Sequence, residues 1–128
     1  MPRALVLVLA QAEGRTIAGA LCLRGADTLY GRYWGADEAL PGLHFETCYY
    51  QGIDYCLREG LHRFEPGAQG EHKVARGFLP VLTHSRHWLA DAAIADALAP
   101  WCAQERAANL RYRDRVLDHS PFRAHSLP

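Results

Sequence analysis

The sequence predicts an α+β fold, a mixed α/β sheet made by an antiparallel meander, a helical crossover to further strands and a C-terminal helix. Three observations predict it. Residues 4–36 hold three strand-like runs separated by short turn signals. Residues 43–59 carry apolar side chains at helical spacing. A β-rich stretch then resumes, so the chain has to cross back to the sheet.

The first run, "ALVLVLAQ", ends at Glu13-Gly14, and "RTIAGALCLRG" resumes with β-branched and apolar residues. Gly25 to Asp27 breaks it, and "TLYGRYWG" alternates aromatic and small residues as far as Gly35. Because every position from Ala4 to Leu9 is apolar, this strand is expected to be covered on both faces.

Pro41-Gly42 marks the next break. In the following helix Phe45, Cys48, Tyr49, Gly52 and Cys56 form one stripe, widened by Ile53 and Leu57, and Gly60 supplies the C-terminal stop. Gly52 costs about 1 kcal/mol relative to Ala in a helix interior, and its expected compensation is close approach of the helix to the sheet. "LHRF" is expected as a short strand and "FLPVLTHSRHWL" as another, with Pro80 at an edge or bulge. Asp91 should cap a final helix in which Ile94, Ala97, Leu98, Trp101 and Cys102 recur at helical spacing. Pro100 should kink that helix or split it. Residues 119–128 have turn composition and are expected to fray.

A chain of 128 residues fits a single domain with a real core. Lys and Arg total 14, as do Asp and Glu, so no global field draws DNA or an anionic membrane surface. The C-terminal arginines (Arg106, Arg111, Arg113, Arg115, Arg123) alternate with Glu105, Asp114 and Asp118, the pattern of a solvated helix face. The apolar run Ala4 to Ala10 is too short to span a bilayer and lacks the features of a secretion signal, so a cytoplasmic location is expected. None of Cys22, Cys48, Cys56 and Cys102 forms a CxxC pair, and buried thiols are the expected state.

The segment "FEPGAQGEHKVARGF", residues 64–78, holds most of the chemistry. A metal site could draw on His72, His84, His87, Glu65, Glu71 or Cys56, but neither HExxH nor CxxC is present, so no metal is expected. A plain turn accounts for Pro66-Gly67 and Gly70, although positions 67–77 exceed the two to six residues that a strand connection needs. A ligand site is the third reading. Gly67 and Gly70 would let the backbone approach a ligand, Gln69 and His72 offer hydrogen bonds, and Glu65 or His72 could take a proton. Lys73 and Arg76 could hold an anion, and a helical turn beginning at Glu71 would add a partial positive charge.

The stretch "LHFETCYYQGIDYCLREGLHRFEPGAQGEHKVARGFLP", preceded by "LYGRYWGADE", resembles the FemAB-like branch of the GNAT (acyl-CoA N-acyltransferase) superfamily, bacterial proteins tied to peptidoglycan biosynthesis or recognition. The resemblance covers residues 4–90. It implies a GNAT-like sheet in which the strand from Leu61 splays away from the meander to open an acyl-transfer cleft. Position by position, the motif residues are Tyr33, Trp34, Glu46, Tyr50, Glu65, Gly67, Gln69, Glu71, His72, Lys73, Arg76 and Gly77.

The implied chemistry is transfer of an acyl or aminoacyl group to an amine, the acceptor being a small-molecule amine or cell-wall precursor. Glu65 or His72 would accept the amine proton, Tyr33 or Tyr50 would protonate the leaving group, and Gly67, Gln69, Gly70, Glu71, Lys73, Arg76, Trp34 and Glu46 would bind donor or substrate. The turn before the helix reads "GADEALPG" and lacks the Gly-rich phosphate-binding pattern for acyl-CoA, so aminoacyl-tRNA is the other donor implied. Family chains carry two such lobes. This chain therefore reads as a C-terminal lobe or truncated form, and its alternative role is a non-catalytic lobe that recognises a ligand, packs on a missing N-terminal lobe or forms a homo-oligomer. The plainer readings are core aromatics for Tyr33, Trp34, Tyr49 and Tyr50, a first-turn preference for Glu46, and an ion pair of Glu65 with Arg63 or Lys73.

Overall fold

The structure is a computed structural model that describes residues 4–68 and 70–122. It divides into two compact units, Met1–Gln69 and Gly70–Pro128.

The first unit holds a four-stranded sheet in the order β1-β2-β3-β4, with β1 Leu5–Ala12, β2 Arg15–Arg24, β3 Thr28–Ala36 and β4 Arg63–Glu65. β1, β2 and β3 form the expected antiparallel meander. Glu13 and Gly14 connect the first pair, both at positive φ (51° and 76°). A two-residue hairpin needs that backbone to match the twist of its strands. A helical crossover then returns the chain to β4, which pairs parallel with β3.

The crossover consists of α1 (Leu43–Phe45), a π-helical turn (Glu46–Tyr50) and α2 (Gln51–Glu59), closed by Gly60 at φ 67°. Gly52 has the close approach that its place in a helix demands: a Cβ there would lie 2.5 Å from Cε1 of Phe64 on β4. The Phe64 ring thus fills the space that the missing side chain leaves. Cys22, Leu29 and Cys56 form the core, with Val6, Tyr55, Leu61 and Phe64 packed around it. Arg24 fastens the helix from outside, donating to Glu59 Oε2 (2.7 Å) and to the Tyr55 hydroxyl (3.2 Å).

The helix face departs from the simple periodic stripe. Thr47, Tyr49, Gly52 and Cys56 are buried, whereas Leu57 is 76% exposed. The π-turn closes Gln51 N–H onto Glu46 C=O, five residues back, and this wider turn rotates the helix that follows relative to a uniform 3.6-residue period.

β1 is covered on one face only, contrary to the expectation from its composition. Val6 packs on the core, but Leu5, Leu7 and Leu9 are 57%, 65% and 54% exposed. The cause is topological: β1 is the outermost strand, and the crossover helix backs only one side of the sheet.

In the second unit residues 71–76 form a 3-10 helix, Glu71–Arg76, around buried Val74, and Gly77 ends it at φ 87° beside Phe122. Residues 78–90 take neither helix nor strand, so the strand expected over "FLPVLTHSRHWL" does not form. Pro80 has no N–H to give a ladder, and polar Thr83 to His87 offer no alternating apolar face. Asp91 caps α3 (Ala92–Leu117) as expected, its carboxylate accepting from Ala93 and Ile94 N–H. The helix runs through Pro100 as one element rather than two, carried by strong helix formers on both sides. Its apolar residues Ile94, Leu98 and Trp101 stay exposed. Cys22 and Cys56 are buried thiols, but Cys48 is half-buried and Cys102 exposed, so burial holds for only two of the four. Of the tail 119–128, His119 and Ser120 donate to Val116 and Leu117 C=O; residues 123–128 lie outside the described residues.

Two measurements check this packing. Gly52→Ala should lose about 1–3 kcal/mol of stability in urea titrations despite Ala's better helix propensity, because the added methyl overpacks Phe64. Combining it with Phe64→Leu should recover part of the loss. The second concerns pH. Burial, then the neighbouring Cys56 thiol, push the Cys22 thiol above its ordinary range, and burial pushes Cys56 the same way. The unfolded chain therefore ionises first. The contribution is complete below about pH 8.5 and is lost as pH rises through the raised folded-state values. Stability should be lower at pH 10 than at pH 7, and the double variant Cys22→Ala/Cys56→Ala should narrow that difference.

Candidate functional site

β4 pairs with β3 through only three residue pairs, Thr28 with Arg63, Leu29 with Phe64 and Tyr30 with Glu65. Pro66 and Gly67 (φ 89°) then turn the chain against Gly31. A Cβ at Gly31 would lie 3.3 Å from Pro66 Cα and C, so glycine is what admits that backbone. β3 continues to Ala36 with β2 on one side and, among the described residues, no strand on the other. The result is a strand edge, residues 32–36, that opens where β4 departs.

An aromatic cluster stands beside this edge. Trp34, on the helix-covered face opposite Ala20, meets His44 edge-on at 5.1 Å. His44 also meets Tyr49 edge-on at 5.3 Å and lies 5.5 Å from Phe45, and Phe45 stacks on Tyr49 at 6.1 Å. Tyr49 is buried, while Trp34 keeps 38% of its surface open. The π-turn positions the neighbouring polar pair: Gln51 Nε2 donates to Glu46 Oε1 at 2.8 Å. Residues five apart are on different sides of an ordinary α-helix, and the wider turn brings them together.

The strand register decides where the remaining candidates point. Leu5, Leu23, Tyr30 and Glu65 form one cross-strand row, and Leu7, Leu21 and Tyr33 form the next. Both rows are on the face without the helix. A bulge between Leu21 and Cys22 puts an extra residue, Arg32, into β3, so Tyr30 and Tyr33 share a face although they are three apart. Glu65 and Tyr33 therefore lie on the sheet's open face, Trp34 on its covered face, and Glu46 on the helix that covers it. Tyr50 ends the π-turn and is exposed.

Gly67 belongs to the turn at Gly31. Gln69 lies outside the described residues. In the second unit, Gly70 (φ 101°) precedes the 3-10 helix whose first residue is Glu71, and exposed His72 curls back over Gly70. Lys73 is half-buried, and Arg76 Nη1 donates to the His72 carbonyl at 2.8 Å. The helical turn that the sequence allows from Glu71 takes 3-10 form.

Sequence reasoning missed His44 and Gln51. His44 lies outside the apolar stripe, and the Glu46–Gln51 spacing of five carries no signal under a 3.6-residue period. Among the described residues no three His, Cys, Asp or Glu side chains gather to hold a metal ion, and no helix is long and apolar enough to cross a membrane.

Gly31→Ala should test the turn that opens the edge. The new methyl meets Pro66 backbone rather than a yielding side chain, so unfolding should show a loss of about 1 kcal/mol or more.

Comparison with known proteins gives one family. The FemAB-like family model, described as peptidoglycan biosynthesis/recognition, matches residues 1–124. No curated protein and no solved structure matches significantly.

Proposed function

The chain belongs to the FemAB-like family of peptidoglycan biosynthesis/recognition, and from that premise we propose that its first unit is a GNAT-like lobe for N-acyl or aminoacyl transfer. The observation that carries the proposal is the early departure of β4, which leaves the edge of β3 open beside Trp34, His44 and Tyr49.

A donor carbonyl lying along that edge takes the place that β4 would fill if it continued, and backbone N–H groups of residues 32–36 stabilise the oxyanion. The amine of a small molecule or cell-wall precursor attacks the carbonyl carbon. A C–N bond forms, and the C–O or C–S bond of the donor breaks. Glu65 stands at the head of the opening and takes the amine proton, directly or through water; Tyr33 or Tyr50 returns a proton to the leaving oxygen or sulfur. Groups from opposite faces can both reach a ligand held at an edge in the sheet plane. Trp34 and Glu46 contact the donor from the helix side. In the second unit Lys73 and Arg76 are proposed separately as anion contacts, with His72 as an alternative base.

The second reading is a recognition lobe without catalysis. It is favoured by the placement of Tyr33 and Glu65 across the sheet from Trp34 and Glu46.

Thermal unfolding in the presence of acetyl-CoA, aminoacyl esters and cell-wall precursors tests both. A donor at 100 times its Kd should add about 2.7 kcal/mol of stability. Trp34→Ala should weaken that stabilisation, whereas Glu65→Gln should keep it and lose product formation. Stabilisation by a precursor with no product from any donor favours recognition, and no stabilisation by any compound overturns both.

A further inference from the structure

Residues 4–10, Ala-Leu-Val-Leu-Val-Leu-Ala, read identically in both directions about Leu7. All but Ala4 belong to β1, the outermost strand, which pairs with β2 on one side and among the described residues with no strand on the other. Natural sheet edges are kept apart by charges, prolines, bulges or short length. From Leu5 to Ala12 there is no charge and no proline. The one register break, between Ala10 and Gln11, falls beyond the palindrome.

We propose that β1 pairs antiparallel with β1 of a second copy of this chain across a two-fold axis through Leu7, joining two four-stranded sheets into one of eight. The palindrome commits the edge to its own copy. In this register Leu7 faces the partner's Leu7, Leu5 the partner's Leu9, Val6 the partner's Val8 and Ala4 the partner's Ala10. Every cross-strand pair then joins residues of one kind. The Leu pairs continue the exposed apolar face of Leu5, Leu7, Leu9 and Leu23, and the Val pairs continue the face beneath the helix.

A two-fold contact requires a patch complementary to itself, and this edge meets that requirement residue by residue. Pairing also satisfies two rows of backbone N–H and C=O groups. A slip of one residue would set exposed Leu positions against covered Val positions, so the register is specified. The inference uses β1 alone and stands or falls independently of the acyl-transfer reading.

The test uses the full chain with Cys48 and Cys102, the two thiols not fully buried, replaced by Ser. Light scattering over a wide concentration range should give a mass approaching twice 14.3 kDa. Leu7→Lys and Leu7→Glu should each be monomeric, since like charges would meet on the axis, and mixing the two should restore a dimer. Circular dichroism should be unchanged in both, because Leu7 is exposed. In the same background Leu7→Cys should oxidise to a covalent dimer, whereas Leu21→Cys, on the same face one strand inward, should not. A monomeric mass throughout, dimers that survive both charged variants, or cross-linking at position 21 in preference to position 7 would each overturn the proposal. The last of these would mean that sheets stack face to face instead.

Discussion

The contact between Gly52 and Phe64 governs the first unit. Only a helix residue without a side chain lets the Phe64 ring enter the helix surface, and that entry seats α2 over Cys22, Leu29 and Cys56. The same ring belongs to β4, so one contact fixes both the height of the helix above the sheet and the position of the parallel strand. Leu29, fully buried and paired with Phe64, ties that contact back to β3. The glycine's intrinsic disadvantage in a helix is about 1 kcal/mol, and the approach it permits packs Phe64 against Cys22, Leu29 and Cys56, away from water.

Two local irregularities then shape the candidate site. The π-turn widens the helix by one residue per turn, which places Gln51 beside Glu46 and turns Tyr49 into the aromatic cluster with His44 and Trp34. The Pro66-Gly67 turn presses on Gly31 and ends the parallel ladder after Tyr30. The π-turn also buries Thr47 and Tyr49, and together the two features leave β3, among the described residues, with an edge that no strand pairs beyond Tyr30, next to partly open aromatic surface. Such departures from regular geometry gather where a protein handles something other than itself.

The sheet's two faces are unequal for a related reason. One crossover helix can back one face, and among the described residues β1 has a strand on one side only. Leu5, Leu7 and Leu9 consequently remain in contact with water although their sequence is that of a buried strand. In soluble proteins a contiguous apolar face of this size is the usual mark of an interaction surface.

Much of this architecture was legible in residue order. The meander follows from alternating apolar runs punctuated by Glu13-Gly14 and Gly25 to Asp27, the helix from its spacing and Gly60 stop, and the cap of α3 from Asp91; all are local signals acting over a few residues. The close approach at Gly52 was legible too, because a glycine inside a helix needs a packing reason. What tertiary structure alone decided are matters of partnership. Composition could not tell that β1 would sit at an edge, that residues 78–90 would find no strand to pair with, or that Leu57 would turn outward after a π-turn. Nor could it divide the tyrosines, since the bulge that puts Tyr33 with Tyr30 and sends Trp34 to the other face exists only in the pairing of β2 with β3. Side-chain type sets what a residue can do, but cross-strand register and helix phase set what it faces, and those are properties of two segments at once.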